Sequence, residues 1–379
     1  MTDTPLNVAI VGCGVIGLHH ARVLSAHPRF AVSALVDPRP NALDTVRAAL
    51  PEAERNVSLA ATLAELLASG KMPDLIVIAT PSGTHVELAA EAVAVGSHVV
   101  IEKPLDVTVE RGKVLAELAQ SAAARGQMIS VISQHRFDPA SQAVHRAIAA
   151  GRFGTVSSAV ATVAWWRSQA YYDSGDWRGT WALDGGGATM NQGVHTVDLL
   201  RWFLGTPVEV FAATGLFAHE RVEVEDTAAA TVRFSSGALA TILATTAAYP
   251  GLSARIQVHG SRGTAVIDND RLDFFHAAAN GDAVGGYGAA GDASMNQAAR
   301  EVPFEETAAA PRRDEDFLLG HSRQYDDIAE AIDTGRPPLV DVNEALLSLA
   351  LVQSIYQSAR SKTPVLIDDV LSGVGTAGA

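Results

Sequence analysis

The spacing of apolar and polar positions changes once along this chain. Through residues 1–135, short apolar runs at 8–11, 31–36, 75–80, 98–102 and 128–133 alternate with longer stretches at 17–26, 59–69, 85–95 and 109–125. The longer stretches are rich in Ala, Leu, Glu and Arg and repeat their apolar residues at helical spacing. Apolar strands separated by helices predict a parallel sheet covered on both faces, a doubly wound α/β domain.

Near 134–139 that spacing gives way. After a predicted helix at 140–150, residues 155–166, 208–213, 226–234, 239–246, 254–259 and 263–268 alternate or are β-branched, with turns such as Ser235-Ser236-Gly237 between them. They predict a second α/β domain, 136–379, built on a large, mostly antiparallel open sheet. Residues 277–310, rich in Gly and Ala without a period, predict a mobile surface excursion. At 342–360 a leucine stripe predicts a buried helix, with Asp341 and Glu344 in capping-box register.

Composition narrows the classes of function. The chain has 379 residues, 48% of them hydrophobic, enough for two cores. A net charge of −14 and a pI near 5.3 disfavour nucleic acid and anionic membrane surfaces as partners. The N-terminus carries Asp3 with no basic stretch before the apolar run at 8–11, and no segment approaches the roughly 20 apolar residues of a membrane span. A cytoplasmic protein is the expectation. The single Cys13 excludes an internal disulfide and a multi-thiolate zinc site.

Chemistry concentrates at the carboxyl ends of the predicted strands. Gly12-Cys13-Gly14-Val15-Ile16-Gly17 follows the first strand and opens a helix. The first glycine makes the tight turn, the second admits a pyrophosphate, the third lets helix pack on strand, and the helix N-terminus attracts the anion. Asp37 ends the second strand, where a carboxylate accepts both ribose hydroxyls and repels a 2′-phosphate, so NAD is the expected cofactor, with Arg39 nearby as the counter-argument. Thr80-Pro81-Ser82-Gly83-Thr84-His85 ends a later strand, and backbone there is expected to touch the ribose or nicotinamide, with His85 opening the next helix. Glu102-Lys103-Pro104 reaches the same edge. Only Lys71, Lys103, Lys113 and Lys362 are lysines, and a lysine can lose its proton beside oxidised nicotinamide whereas a guanidinium cannot. Lys103 is therefore a candidate acid-base or substrate-orienting group.

Further along, Asp184-Gly185-Gly186-Gly187 leads into a predicted helix on which Asn191, His195 and Asp198 fall at spacings of four and three, on one face. Two helical ligands without a third partner make a poor metal site, and the adjacent His19 and His20 point apart, so no metal is expected. Trp165-Trp166-Arg167, Tyr171-Tyr172, Trp177-Arg178 and Trp181 gather aromatics with arginines. Such a set suits the C–H faces and hydroxyls of a carbohydrate ring, or a phosphate or carboxylate on it, and Arg167, Tyr172 and Trp177 are the candidate binding residues.

The glycine motif, Glu102-Lys103-Pro104, the glycine segment leading to His195, and His259-Gly260-Ser261-Arg262-Gly263 together resemble the Gfo/Idh/MocA family of oxidoreductases over nearly the whole chain. The resemblance implies a Rossmann nicotinamide-binding domain ahead of an α/β domain whose open sheet builds homodimers or homotetramers. It implies that Lys103 acts at the reacting carbon, that Lys103 and His195 carry proton transfer, and that the peptide before Pro104 is cis. It also implies that His321, ahead of a helix at 324–332, approaches substrate. One position departs from the family pattern: Asn191 stands where many members carry aspartate, and an amide can orient a hydroxyl but takes up no proton.

The function expected is hydride transfer between NAD and a hydroxyl or keto carbon of a sugar, cyclitol or sugar derivative. Two other classes share these motifs: a glycosidase that uses a transient hydride transfer, and an NAD-binding sensor without turnover. Net NADH formation separates the three.

Overall fold

The computed structural model describes residues 4–279, 295–311 and 316–373. In chain order the elements begin β1 (Leu6–Val11), α1 (Val15–Ala26), β2 (Phe30–Val36), α2 (Pro40–Ala49), β3 (Ser58–Ala60) and α3 (Leu63–Ala68). Next come β4 (Leu75–Ile78), α4 (His85–Ala94), β5 (His98–Ile101), α5 (Val109–Ala123), β6 (Ile129–Val131), α6 (Pro139–Ala149), β7 (Val156–Ala164) and α7 (Gln169–Tyr172). A π-helical turn (Ala188–Gly193) runs into α8 (Val194–Leu204), followed by β8 (Pro207–Gly215), β9 (Thr227–Phe234), β10 (Leu239–Thr245), β11 (Ala254–Gly260), β12 (Gly263–Asp268) and β13 (Arg271–Ala277). The last are α9 (Ala298–Glu301), α10 (Asp316–Thr334), α11 (Val342–Ser361), β14 (Val365–Leu366) and α12 (Ile367–Ser372).

Two compact units result. The first comprises residues 1–134, 180–185 and 315–349, the second 135–179, 186–314 and 350–379. In the first, six parallel strands lie in the order β3-β2-β1-β4-β5-β6. All four residues of β4 are buried, as a strand covered on both faces requires. The strand order reverses between β1 and β4, and the crevice outside their carboxyl ends is where open sheets of this kind take ligands. Returning to this unit late in the chain, α10 places Tyr325, Ile328 and Ala329 in a core with Val8, Ile10, Leu24 and Leu35.

The second unit holds eight strands in the order β13-β12-β11-β7-β10-β9-β8-β14, antiparallel except for β7 with β10. Burial alternates residue by residue along β9. One face of the sheet is therefore packed. The other carries an exposed row through Phe211, Thr231, Thr241 and Val160, paired in register across β8, β9, β10 and β7.

Several local expectations change. Leu59 and Ala60 belong to β3, paired with Leu35 and Val36, and the helix starts only at Leu63, behind the Thr62 cap. Tertiary pairing outweighs helix propensity there. Strand β13 and helix α2 were not expected, and the helix predicted at 324–332 is part of the longer α10. Within the excursion predicted at 277–310, Ala277 closes β13 and Ala298–Glu301 forms a short helix, while residues 280–294 lie outside the described residues. The capping-box register at α11 is realised by the Glu344 N–H donating to Asp341 Oδ1 at 2.9 Å. No helix among the described residues is long and apolar enough to cross a membrane.

Candidate functional site

In the first unit the turn after β1 is built for close backbone approach. Gly12 has φ +97°, and a Cβ there would meet the carbonyl of Ala79 at the end of β4. A Cβ on Gly17 would overlap the Gly12 carbonyl oxygen, so helix α1 packs on the turn only without one. Over Gly14 the space is open, with nothing within 4 Å of a Cβ position. This is a cradle a side chain would fill, at the N-terminus of α1, and it fits a pyrophosphate. Val15, in the first turn, is 72% exposed, while Ile16 is half-buried.

Asp37 lies at the end of β2, 4% exposed. Its Oδ2 accepts from the Cys13 N–H at 2.9 Å, which ties the strand end to the glycine turn. Arg39 forks onto the same carboxylate, with Nε and Nη2 each at 3.0 Å. Burial pushes the Asp37 carboxyl up, but the Arg39 and Cys13 hydrogen bonds outweigh it and hold the group below its ordinary range. Burial first, then Asp37, pushes the Cys13 thiol up to about 12, which leaves it protonated and inert.

After β4, the Thr80 and Thr84 hydroxyls share a hydrogen bond at 2.7 Å, and Ser82 is buried. His85 is fully buried, its ring nitrogens 3.0 Å from the Leu105 carbonyl and 3.2 Å from that of Thr80. It ties the loop after β4 to the segment that follows Pro104.

Lys103 follows β5. Its backbone N–H donates to Glu102 Oε2 at 3.0 Å, and the Lys103-Pro104 peptide is cis. Glu102 is 4% exposed, and its Oε1 stands 2.8 Å from His20 Nε2; His20 Nδ1 is in turn 2.8 Å from the Tyr325 hydroxyl. The partners fix the tautomer: a carboxylate only accepts, so Nε2 carries the proton and Nδ1 accepts from tyrosine. Burial drives the Glu102 carboxyl up, yet the His20 hydrogen bond and the proximity of His321 prevail and hold it well below the usual carboxylate range. Burial lowers the His20 pKa, and burial plus the Glu102 charge raises that of Tyr325. The outcome is a buried carboxylate that stays ionised and accepts the Lys103 backbone N–H. His321 belongs to this cluster. It is 3% exposed, edge-on to His20 at 5.4 Å, with Nε2 3.7 Å from Glu102 Oε1.

In the second unit, Glu225 does the corresponding work. Its Oε2 accepts from the Gly187 N–H and its Oε1 from the Thr189 N–H, each at 2.9 Å, and the Tyr356 hydroxyl donates to Oε1 at 3.0 Å. Tyr356 then accepts from the Met190 N–H at 3.1 Å. The glycines of the loop make room for this: a Cβ on Gly186 would strike the Tyr356 ring, and one on Gly187 the Glu225 carbonyl. Asn191 lies in the π-helical turn so held, and His195 in the first turn of α8, both half-buried. The wide π turn changes the helical period, so the shared-face expectation applies to His195 and Asp198 but does not extend unaltered to Asn191. His195 meets His135 edge-on at 4.9 Å, and His135 Nδ1 is 2.8 Å from Asp138. Asp198 is taken by a buried, bidentate ion pair with Arg136, both contacts at 2.7 Å.

The aromatic segment divides. Tyr172 turns inward, 6% exposed, its hydroxyl 2.8 Å from that of Thr246. Tyr171, which was not singled out from the sequence, stands between Arg167 and Arg178, whose guanidinium carbons lie 5.4 and 4.3 Å from its ring centre. Arg178 also lies over Trp177, at 4.4 Å. Sequence spacing likewise did not reveal His20, Tyr325, Glu225 or His135 as members of these clusters, because each meets its partners across long separations. Nor did it reveal two triples, His20-Glu102-His321 and His135-Asp138-Asp270, whose potential ligand atoms lie within 4.8 Å of one another. In the first, His20 and Glu102 are directly hydrogen-bonded, and an ion would have to displace that bond.

A family model described as an oxidoreductase family with an NAD-binding Rossmann fold matches residues 6–131, and a GFO/IDH/MocA C-terminal domain model matches residues 141–266. The WlbA dehydrogenase from Bordetella pertussis, solved in complex with NADH and UDP-GlcNAcA, is 33% identical, with a TM-score of 0.81 and coverage of 97% of this chain and 99% of that one. Inositol 2-dehydrogenase of Rhizobium meliloti (strain 1021) is 27% identical over 266 residues, 69% of this chain and 75% of the relative. Levoglucosan dehydrogenase of Pseudarthrobacter phenanthrenivorans is 26% identical over 295 residues, 71% of this chain and 75% of the relative.

Proposed function

Because this chain belongs to the Gfo/Idh/MocA family of NAD-binding oxidoreductases, we propose that it oxidises a secondary hydroxyl of a sugar, cyclitol or sugar derivative, or reduces the corresponding ketone. The observation that carries this reading is the buried Glu102-His20-Tyr325 chain that holds the Lys103 backbone N–H, at the carboxyl edge of a parallel sheet beside its switch point. The relatives named for inositol, levoglucosan and UDP-GlcNAcA support the substrate class.

Gly12, Gly14 and Gly17, with Val15 and Ile16 in the first turn of α1, would hold the pyrophosphate. Asp37 would hold the adenosine ribose, and Thr80, Pro81, Ser82 and Glu102 the segment nearer the nicotinamide. NAD, when bound, supplies the hydride acceptor. The chain's own residues manage the proton: Lys103 takes it from the hydroxyl oxygen as the carbinol carbon gives up its hydride, and His195 completes the route. Asn191 orients the hydroxyl, since an amide donates and accepts hydrogen bonds without titrating. Ionised Glu102 accepts the Lys103 backbone N–H and so fixes the segment that carries the lysine.

The test is absorbance at the NADH band with NAD and a panel of sugars, cyclitols and nucleotide sugars. Stoichiometric NADH from one of them supports the reading. Sugar release without net NADH would assign a hydrolase instead, and NAD binding without any conversion a sensor. A homodimer or homotetramer through the exposed row on the second unit's sheet is part of the same proposal, and the molar mass in solution checks it.

A further inference from the structure

We propose that Arg167, Tyr171, Arg178 and Gln192 form an anion-recognising subsite, so that the sugar this protein oxidises carries a carboxylate or phosphate group. The inference rests on the dehydrogenase reading and adds a substrate class to it.

Both arginines share one ring. Their guanidinium carbons lie 5.4 and 4.3 Å from the Tyr171 ring centre, and hence no more than about 10 Å apart. Arg178 also donates to the Tyr171 hydroxyl at 2.7 Å and to the Ser174 hydroxyl at 3.1 Å. Arg167 packs over Trp165 at 5.1 Å and donates to the Trp166 carbonyl at 3.2 Å. Neither has a carboxylate partner among the described residues. Elsewhere in the same unit Arg136, Arg152, Arg221, Arg233 and Arg255 are each paired with Asp or Glu. Asp173, an acid of the same segment, is engaged by Arg221 at 3.0 Å.

Two half-buried like charges without a counter-ion, in a chain of net charge −14, are an electrostatic cost that a bound anion would relieve. Aromatic rings lie under both guanidiniums, and Arg167 keeps its Nε and Nη2 and Arg178 its Nη2 to donate to an anion's oxygens. A second, independent observation points to a polar ligand. Gln192 is 5% exposed and donates its amide to the Tyr171 hydroxyl at 3.0 Å, while its Oε1 is buried without a hydrogen-bond partner. Such an acceptor is satisfied by a ligand hydroxyl. Gln192 also follows Asn191 in the π-helical turn, so the subsite is anchored to the segment that carries a proposed substrate-orienting residue.

The experiment is calorimetric titration of the NAD-loaded protein with D-glucuronate, glucose 1-phosphate and D-glucose. One or both anionic sugars should bind at least about tenfold more tightly than glucose, and the better of the two identifies carboxylate or phosphate as the group read. Arg178→Gln and Arg167→Gln should each abolish most of that advantage. Arg233→Gln, which removes an equal charge on β9, should keep it. Equal affinity for charged and neutral sugars, or an advantage that survives both arginine substitutions, overturns the subsite. Circular dichroism confirms that each variant is folded, and the two arginine variants test the same site separately. Oxidation of the anionic sugar with unchanged kcat/KM in both arginine variants also overturns the subsite and leaves the dehydrogenase standing. Arginine-dependent anion binding without NADH from any sugar leaves the subsite standing and removes the dehydrogenase.

Discussion

Glu102 and Glu225 are both buried carboxylates that hold the backbone of a segment bearing proposed chemistry, and they shift in opposite directions. Glu102 fixes the Lys103 N–H and is held well below its ordinary value, because an imidazole and its neighbour face it. Glu225 holds the N–H groups of Gly187 and Thr189 and is raised, because burial outweighs the neutral donors around it. Equal burial, then, does not decide ionisation. The partners do: two imidazoles face Glu102, whereas backbone N–H groups and hydroxyls face Glu225. The first unit holds the Lys103 backbone on an ionised carboxylate, while the second positions the segment of Asn191 through a carboxyl that binds a proton more readily.

The largest effect expected is at Lys103. Lys103→Met should lower turnover by about 10² or more while NAD affinity changes little, read from steady-state rates and dinucleotide titration. Near-normal turnover would leave the ionised Glu102 that fixes its backbone without a catalytic purpose.

Next is Glu225→Ala, which strands three donors in a dry site and should cost about 2 kcal/mol in urea unfolding. The pH dependence sharpens the contrast. A lowered Glu102 contributes stability that is present above the unfolded value near 4.5 and lost as pH falls through the folded one. A raised Glu225 does the reverse: its burial cost is felt at neutral pH and relieved as pH falls through the folded value towards 4.5. On acidification from pH 7 to 4.5 the wild type should therefore gain stability relative to Glu225→Gln. Below 4.5 it should lose stability relative to Glu102→Gln. Parallel curves for all three proteins would show that the two carboxylates do not differ in charge.

Asp37 is a third buried carboxylate, held low by Arg39 and Cys13. Asp37→Ser should narrow the preference for NAD over NADP by about tenfold, measured as a ratio of kcat/KM values. Asn191→Ala should cost the least, about 1 kcal/mol, since it removes one orienting hydrogen bond. A loss as large as that of Lys103→Met would place Asn191 in the proton route and not beside it.

Much of this could be read along the chain. The glycine turn, Asp37 and Glu102-Lys103-Pro104 are contiguous signals whose spacing follows from one strand, one turn and one helix. The fully apolar β4 and the alternating β9 announce their sheets for the same reason, since burial on two faces or on one is written in the side-chain period. What escaped was non-local. His20 is 82 residues from Glu102, Tyr325 is 305 from His20, and Tyr356 is 131 from Glu225. No periodicity connects them. Tyr171 and Tyr172 are adjacent, and only packing decided that Tyr172 would face Thr246 while Tyr171 took a place between two arginines.

The sequence by itself determined the parallel and antiparallel sheets, the glycine cradle and the positions of Asp37, Lys103 and His195, because each depends on residues close in the chain. Tertiary structure alone decided that α10 returns to the first unit and brings Tyr325 and His321 to His20 and Glu102. It also decided that Glu225 and Tyr356 reach the glycine loop, where the second carboxylate meets neutral donors. The physical reason is that ionisation of a buried group depends on which dipoles and charges surround it in space, and segments far apart in the chain supply most of those.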